Sequence, residues 1–171
     1  MIATVAMRTL LPALLITVAP AGAQDKAPAT PSTLSAAPQI IEPLVSSVDG
    51  LPISALQPQR LPAKGCAAFL WTRTPSMALV AMAITDPASL RLTIDGKVMD
   101  LPISAQNGIG GLGYSQITEY RGKDTTATLQ IVVKTDASTP KSGSISDATL
   151  RIDRTGRGSV VIPVAGAIGC A

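Results

Sequence analysis

Cys66 and Cys170 are the only cysteines in the chain, and they stand at the two ends of a run of short apolar segments. Within that run apolar residues recur at alternate positions, and no capped window of about twelve residues keeps a helical period. The clearest alternations are Leu90, Leu92 and Ile94; Ala127, Leu129, Ile131 and Val133; Ala148, Leu150 and Ile152; and Val160, Ile162 and Val164. Turn signals separate the segments, Asp95-Gly96, Gly122-Lys123-Asp124 and Thr155-Gly156 among them. Such punctuation at even spacing predicts an all-β fold, an antiparallel sandwich or small barrel of about eight short strands.

The predicted strands are Ala67–Thr72, Met77–Ile84, Ser89–Ile94, Val98–Ile103, Tyr114–Arg121, Thr125–Thr135, Asp147–Asp153 and Ser159–Val164. Pro102 removes a ladder donor, so the fourth is expected at a sheet edge or to end early. Tyr114–Arg121 is polar and β-branched and is expected to be exposed. Phe69 and Trp71 share one face and are expected to pack against the bridge or core. In an up-and-down path an even strand count brings the start of the first strand and the end of the last to one end. There Cys66 and Cys170 are predicted to pair. The bridge would close a loop of about 105 residues, worth about 4 to 5 kcal/mol in the chain-entropy model.

The address is written upstream. Arg8 is the only charge before Gln24, Leu10 to Ala19 is apolar, and Ala21-Gly22-Ala23 offers small residues for cleavage. Residues 1–23 therefore read as a secretory signal peptide. The apolar run falls short of the roughly 20 residues that span a bilayer, so no stable membrane insertion is expected after cleavage. Residues 24–59, rich in Ala, Pro, Ser and Thr, read as a linker, with Ile40-Ile41 and Leu44-Val45 as candidates for loose pairing with the edge of the domain. Residues 60–171 read as the β domain. The expected location is the periplasm or the exterior, where a disulfide persists.

Composition removes several functions. The net charge is +3, and +2 once Arg8 leaves (13 basic against 11 acidic residues), too mild to call for nucleic acid. There is no histidine, so a Ser-His-Asp triad is impossible and a metal site lacks its commonest ligand. A Ser142/Lys141 dyad and Glu119 are weak raw material for catalysis. No cofactor and no metal are expected, and the protein is expected not to be an enzyme.

Gly108-Ile-Gly110-Gly111-Leu-Gly113 matches the dinucleotide-binding fingerprint by letter, but a strand pattern follows it where that motif needs a helix. With Asn107 it reads instead as a candidate contact loop: Asn107, Gly108, Gly110, Gly111 and Gly113. Arg151, Arg154 and Arg157, with Arg121 and Lys123, form a candidate basic patch. Asp124, Asp147 and Asp153 are interleaved and dilute it, so a solvated hairpin face is the competing reading.

Leu61, Pro62, Cys66, Phe69, Leu70 and Trp71 at one end, with Pro163, Val164, Gly166 and Cys170 at the other, resemble the termini of small exported proteins of proteobacteria. The resemblance covers residues 61–171 and implies an envelope address without an activity. The functional expectation is a non-enzymatic binding or accessory module whose partner is an envelope protein or surface component. The alternatives are a small-ligand carrier with an apolar cavity inside a barrel, and an atypical hydrolase without histidine.

Overall fold

A computed structural model describes residues 47–171; the expected signal peptide, most of the expected linker, and Ile40-Ile41 and Leu44-Val45 lie outside them. Eight strands, each antiparallel to its neighbours, close into an up-and-down barrel, so the sandwich alternative falls away. They are β1 (Cys66–Thr72), β2 (Leu79–Thr85), β3 (Ala88–Ile94), β4 (Lys97–Asn107), β5 (Ile117–Arg121), β6 (Thr125–Thr135), β7 (Ser142–Arg154) and β8 (Arg157–Cys170).

Closure comes from β1 pairing with β8 over seven residue pairs, Cys66 opposite Cys170 through Thr72 opposite Val164. The two cysteines form the predicted disulfide, with Cα atoms 4.0 Å apart. Gly166 makes the seam close: a Cβ there would lie 2.3 Å from the carbonyl oxygen of Phe69. The alternation read in the sequence becomes inside and outside. Leu70, Leu90, Leu92, Leu129, Leu150, Ile152, Ile162 and Val164 are fully buried together. Eight strands give a bore that side chains of this size fill. Arg91, Asp100, Glu119, Arg121, Arg151 and Asp153 sit on the outer wall, mostly as ion pairs. That is the reverse of the alternation in a barrel facing lipid. No helix among the described residues is long and apolar enough to cross a membrane.

Several expectations need correction. Pro102 lies inside an eleven-residue strand, and a closed barrel has no edge. The two-residue Asp95-Gly96 turn makes Ile94 and Lys97 a hydrogen-bonded pair. Counting back by alternation, Ser89 and Pro102 face each other as a non-bonded pair, so β3 asks for no N–H at Pro102. Toward β5 the pairing begins one residue later, at Ile103. The fifth strand starts at Ile117 and is not an exposed one, since Thr118 and Tyr120 point inward and are buried. Phe69 and Trp71 face outward. Phe69 packs with Leu56, Ala67 and Met82 in a small outer cluster, and Trp71 lies beside it with ring centroids 6.3 Å apart.

The ends of the barrel are closed by chain that the period-two pattern does not describe. Residues 47–56, expected as linker, are part of the packing. Ser54 N–H donates to the Thr93 carbonyl at 2.9 Å, and Leu56 N–H to the Leu79 carbonyl at 2.7 Å. This strap therefore fills the gap where β2 and β3 part, and Val48 and Ile53 join the core. Asp49 fastens its start, accepting hydrogen bonds from Thr74 and Ser76 in the β1–β2 turn.

Two outcomes test this architecture. Replacing both cysteines by serine lowers the unfolding free energy by about 4 to 5 kcal/mol if the chain-entropy model holds, read as a lower denaturant midpoint with an unchanged folded-state spectrum. Ile53→Ala costs about 2 to 5 kcal/mol as a core truncation. A loss near zero in chemical denaturation would instead return residues 47–56 to the linker.

Candidate ligand-binding mouth

The up-and-down path sorts the connections into two groups. The β2–β3 turn, the β4–β5 glycine loop and the β6–β7 loop lie at the disulfide end. The β1–β2, β3–β4, β5–β6 and β7–β8 turns lie at the opposite end, here called the turn end.

The glycine loop folds over the disulfide end. Tyr114, which ends it, is buried and donates its hydroxyl to the Ala83 carbonyl at 2.9 Å. Gly110 lies so close to this turn that a Cβ would come 2.3 Å from the Tyr114 carbonyl oxygen. Gly111 rests against Val133 and Thr135, Gly113 against Thr85, and Leu112 packs on the core. Asn107 ends β4, and Gly108 stands next to Gln116. Gly110 and Gly111 thus serve close approach of backbone, while Asn107, Gly108, Ile109 and Gly113 are exposed, Ile109 to 91%. Burial pushes the Tyr114 phenol up, with Tyr120 nearby adding to it, and burial holds Tyr120 up at about 12. Both phenols are neutral parts of the packing. Nearby, Lys141 Nζ donates to the Ala171 carbonyl and Ser142 Oγ to the Thr139 carbonyl. The two residues are occupied with main chain and not with each other.

The turn end is different. A pocket of about 650 Å³ opens between the β3–β4, β5–β6 and β7–β8 turns. Ile94, Met99 and Leu101 form its apolar floor. Lys97, Lys123, Arg154 and Arg157 line it with Asp95 and Asp124, four cations against two carboxylates. The turns that carry them follow from local chemistry. Asp95 and Gly96 both adopt positive φ, as a two-residue hairpin matched to strand twist requires. Gly122 lets the β5–β6 turn settle on the floor, since a Cβ there would lie 2.7 Å from a Leu101 methyl. Thr155 N–H donates to the Asp124 carbonyl at 3.0 Å and ties two turns together.

One ion-pair cluster links the β3–β4 turn to the β7–β8 turn. Asp95 Oδ2 accepts from Arg154 Nη2 at 2.5 Å and lies 3.5 Å from Arg157 Nη1. Arg154 is the more enclosed partner, its side chain 17% exposed. The hydrogen bond from Arg154, then the charges of Arg154 and Arg157, hold the Asp95 carboxyl below its ordinary range. An adjoining depression of about 440 Å³ shares Lys123, Arg154 and Arg157 and adds Arg121.

The structure therefore divides the basic residues singled out in the sequence. Arg154, Arg157 and Lys123 meet at the mouth, with Arg121 on its flank. Arg151 is paired with Asp153 at 2.9 Å on the outer wall. Asp147 pairs with Arg73, away from the mouth. Glu119 accepts hydrogen bonds from Ser104 and Arg121, which lower its pKa, Ser104 most. Lys97 was missed by sequence reasoning. The signal was its place directly after the Asp95-Gly96 turn, which puts it on the same end as every other odd-to-even turn. Among the described residues no group of three His, Cys, Asp or Glu side chains is placed to hold a metal ion.

The Asp95 contacts have a pH dependence of defined sign. A carboxyl whose folded-state pKa is depressed stabilises the fold above its unfolded value, about 3.9 for aspartate, and that contribution is lost as pH falls through the folded value. Side-chain carbonyl shifts in an acid titration should place Asp95 below ordinary aspartate. In Asp95→Asn the acid limb of stability loses this component, and a midpoint at or above the ordinary value would show the bridge unformed in solution.

Neither a protein-family model, nor a curated protein, nor a solved structure matches this chain.

Proposed function

We propose that the chain is an exported, non-enzymatic binding module, at work in the periplasm or outside the cell, that presents the turn-end mouth of its barrel to an anionic component of the envelope. The observation that carries this is the concentration of Lys97, Lys123, Arg154 and Arg157 around one apolar-floored pocket. The chain as a whole is only mildly basic, and the mouth gathers an excess of two cations, four against two carboxylates, in one place, where walls of low dielectric focus their field. The disulfide fits an oxidising compartment. The bore is taken up by Leu, Ile and Val side chains, which favours binding at the rim over a carrier that swallows its ligand. A hydrolase needs an acid or base poised near neutrality. Asp95 is shifted the other way and is engaged by two arginines.

The reading is tested by retaining native envelope material on the immobilised mature protein. Wild-type protein should retain a component that is released at about 1 M salt, where the screening length falls to about 3 Å. The Lys97→Glu/Lys123→Glu variant should retain little of it. Equal retention by both proteins, or none by either, sinks the proposal.

A further inference from the structure

We infer that the ligand is an amphiphilic anion, an apolar tail or ring ending in one anionic head group, seated with the apolar part on Ile94, Met99 and Leu101 and the head among Lys97, Lys123 and Arg157. This rests on the reading of the mouth as a binding site and names the chemistry it selects. Three observations lead to it. The pocket's volume, about 650 Å³, lies in the range of small-molecule sites, roughly 300 to 1,000 Å³. Its lining is segregated, with aliphatic side chains from β3 and β4 below and charged side chains from the three turns above. A purely inorganic anion would leave the floor uncovered, and a neutral apolar ligand would leave the excess of cations over Asp95 and Asp124 unmet. Met99 is half-buried, and its unbranched thioether adapts to more than one tail. No aromatic side chain lines the mouth, so the stacking platforms that hold single-stranded nucleic acid are missing from it.

The Asp95 cluster shapes entry. Of the two carboxylates in the mouth, Asp95 and Asp124, Asp95 is the one engaged by Arg154 and Arg157. Lys97 and Lys123 line the same pocket and are both exposed. An arriving head group meets these lysines first and competes with Asp95 for Arg157, whose contact at 3.5 Å is the longer of the two. Arg154 keeps the shorter bond, so the two turns stay linked while the ligand is seated. Asp95→Asn frees Arg154 and Arg157 for the ligand and should tighten binding.

The probe is 8-anilinonaphthalene-1-sulfonate, an aromatic body bearing one anion, added to the mature protein. Fluorescence gives affinity and backbone amide shifts give location. The neutral analogue N-phenyl-1-naphthylamine and inorganic phosphate are run beside it. The expected result is sulfonate binding that shifts amides at Asp95–Met99 and Gly122–Thr125. It should weaken about tenfold or more in Lys97→Glu/Lys123→Glu and in Met99→Glu, and strengthen in Asp95→Asn. Each variant is first shown to keep the wild-type amide dispersion, so that loss of binding is not loss of fold. The amphiphile is overturned, and the anion-binding mouth kept, if phosphate binds at the mouth as tightly as the sulfonate dye. The same holds if phosphate shifts the mouth amides and the dye does not bind. Equal binding of the neutral analogue overturns the anionic head group. If neither anion moves the mouth amides, or if dye binding is indifferent to all three variants, both the inference and the reading beneath it fail.

Discussion

The β1–β8 seam is the contact on which the other features depend. Without it the molecule is an open eight-stranded sheet with two unpaired edges, each a template for association with another chain. With it, every strand has two neighbours, and the alternation of side chains acquires a meaning: one face becomes a sealed bore and the other a wall. Three properties of the sequence meet at this seam. Gly166 admits the Phe69 backbone, the small side chains Ala165 and Ala167 leave the outer surface low, and Cys66 and Cys170 lock its far end. The disulfide acts where it gains most in the entropic model, between residues 104 apart in sequence and directly opposite in register.

Closure also restricts where function can reside. The bore is occupied by fully buried aliphatic side chains. The wall carries cross-strand pairs such as Arg91 with Asp100, held by two short hydrogen bonds, and a shallow apolar depression of about 540 Å³ over Trp71, Met77, Ala165 and Ala167. The two ends differ from each other. At the disulfide end the second half of the glycine loop packs inward, with Leu112 on the core and Tyr114 as its fastening, while Asn107, Gly108 and Ile109 are exposed. At the turn end the strap of residues 47–56 fills the side near β2 and β3 with Val48 and Ile53. The opposite side, between the β3–β4, β5–β6 and β7–β8 turns, keeps its depression.

Much of this was legible in the sequence because it follows from period and punctuation. Alternation over β3, β6, β7 and β8 identified the core residues, and an even strand count brought the cysteines together. What escaped was set by tertiary contact. Pro102 breaks a local rule, yet register places it where the ladder needs no donor. The Ala-Gly-rich end of β8 carries no strand signal and is held by its two neighbours. Residues 47–56 have the composition of a linker, and only the gap between β2 and β3 gives Ile53 a place to be buried. Composition also cannot tell which part of a glycine loop reaches out and which folds in: Asn107, Gly108, Ile109 and Gly113 are exposed, while Leu112 and Tyr114 pack inward. The basic residues were visible, but their grouping required knowing which turns share an end. Lys97 and Lys123, 26 positions apart in the numbering, come to line one pocket only through the barrel's path.

The mouth residues also differ from the rest in what the fold asks of them. A type I′ turn demands positive φ at Asp95 and Gly96, and close packing demands the absence of a side chain at Gly122. Neither demand extends to a cation at 97 or 123. Exposed charges contribute little to stability, since water and salt screen them, and like charges gathered at one rim repel. Four cations around one depression are therefore not explained by folding. Asp95 offsets part of the repulsion from Arg154 and Arg157 and Asp124 adds a second carboxylate to the lining, which leaves two cations in excess. An anionic ligand would supply the remaining counter-charge, and the aliphatic floor beneath would give it a reason to stay.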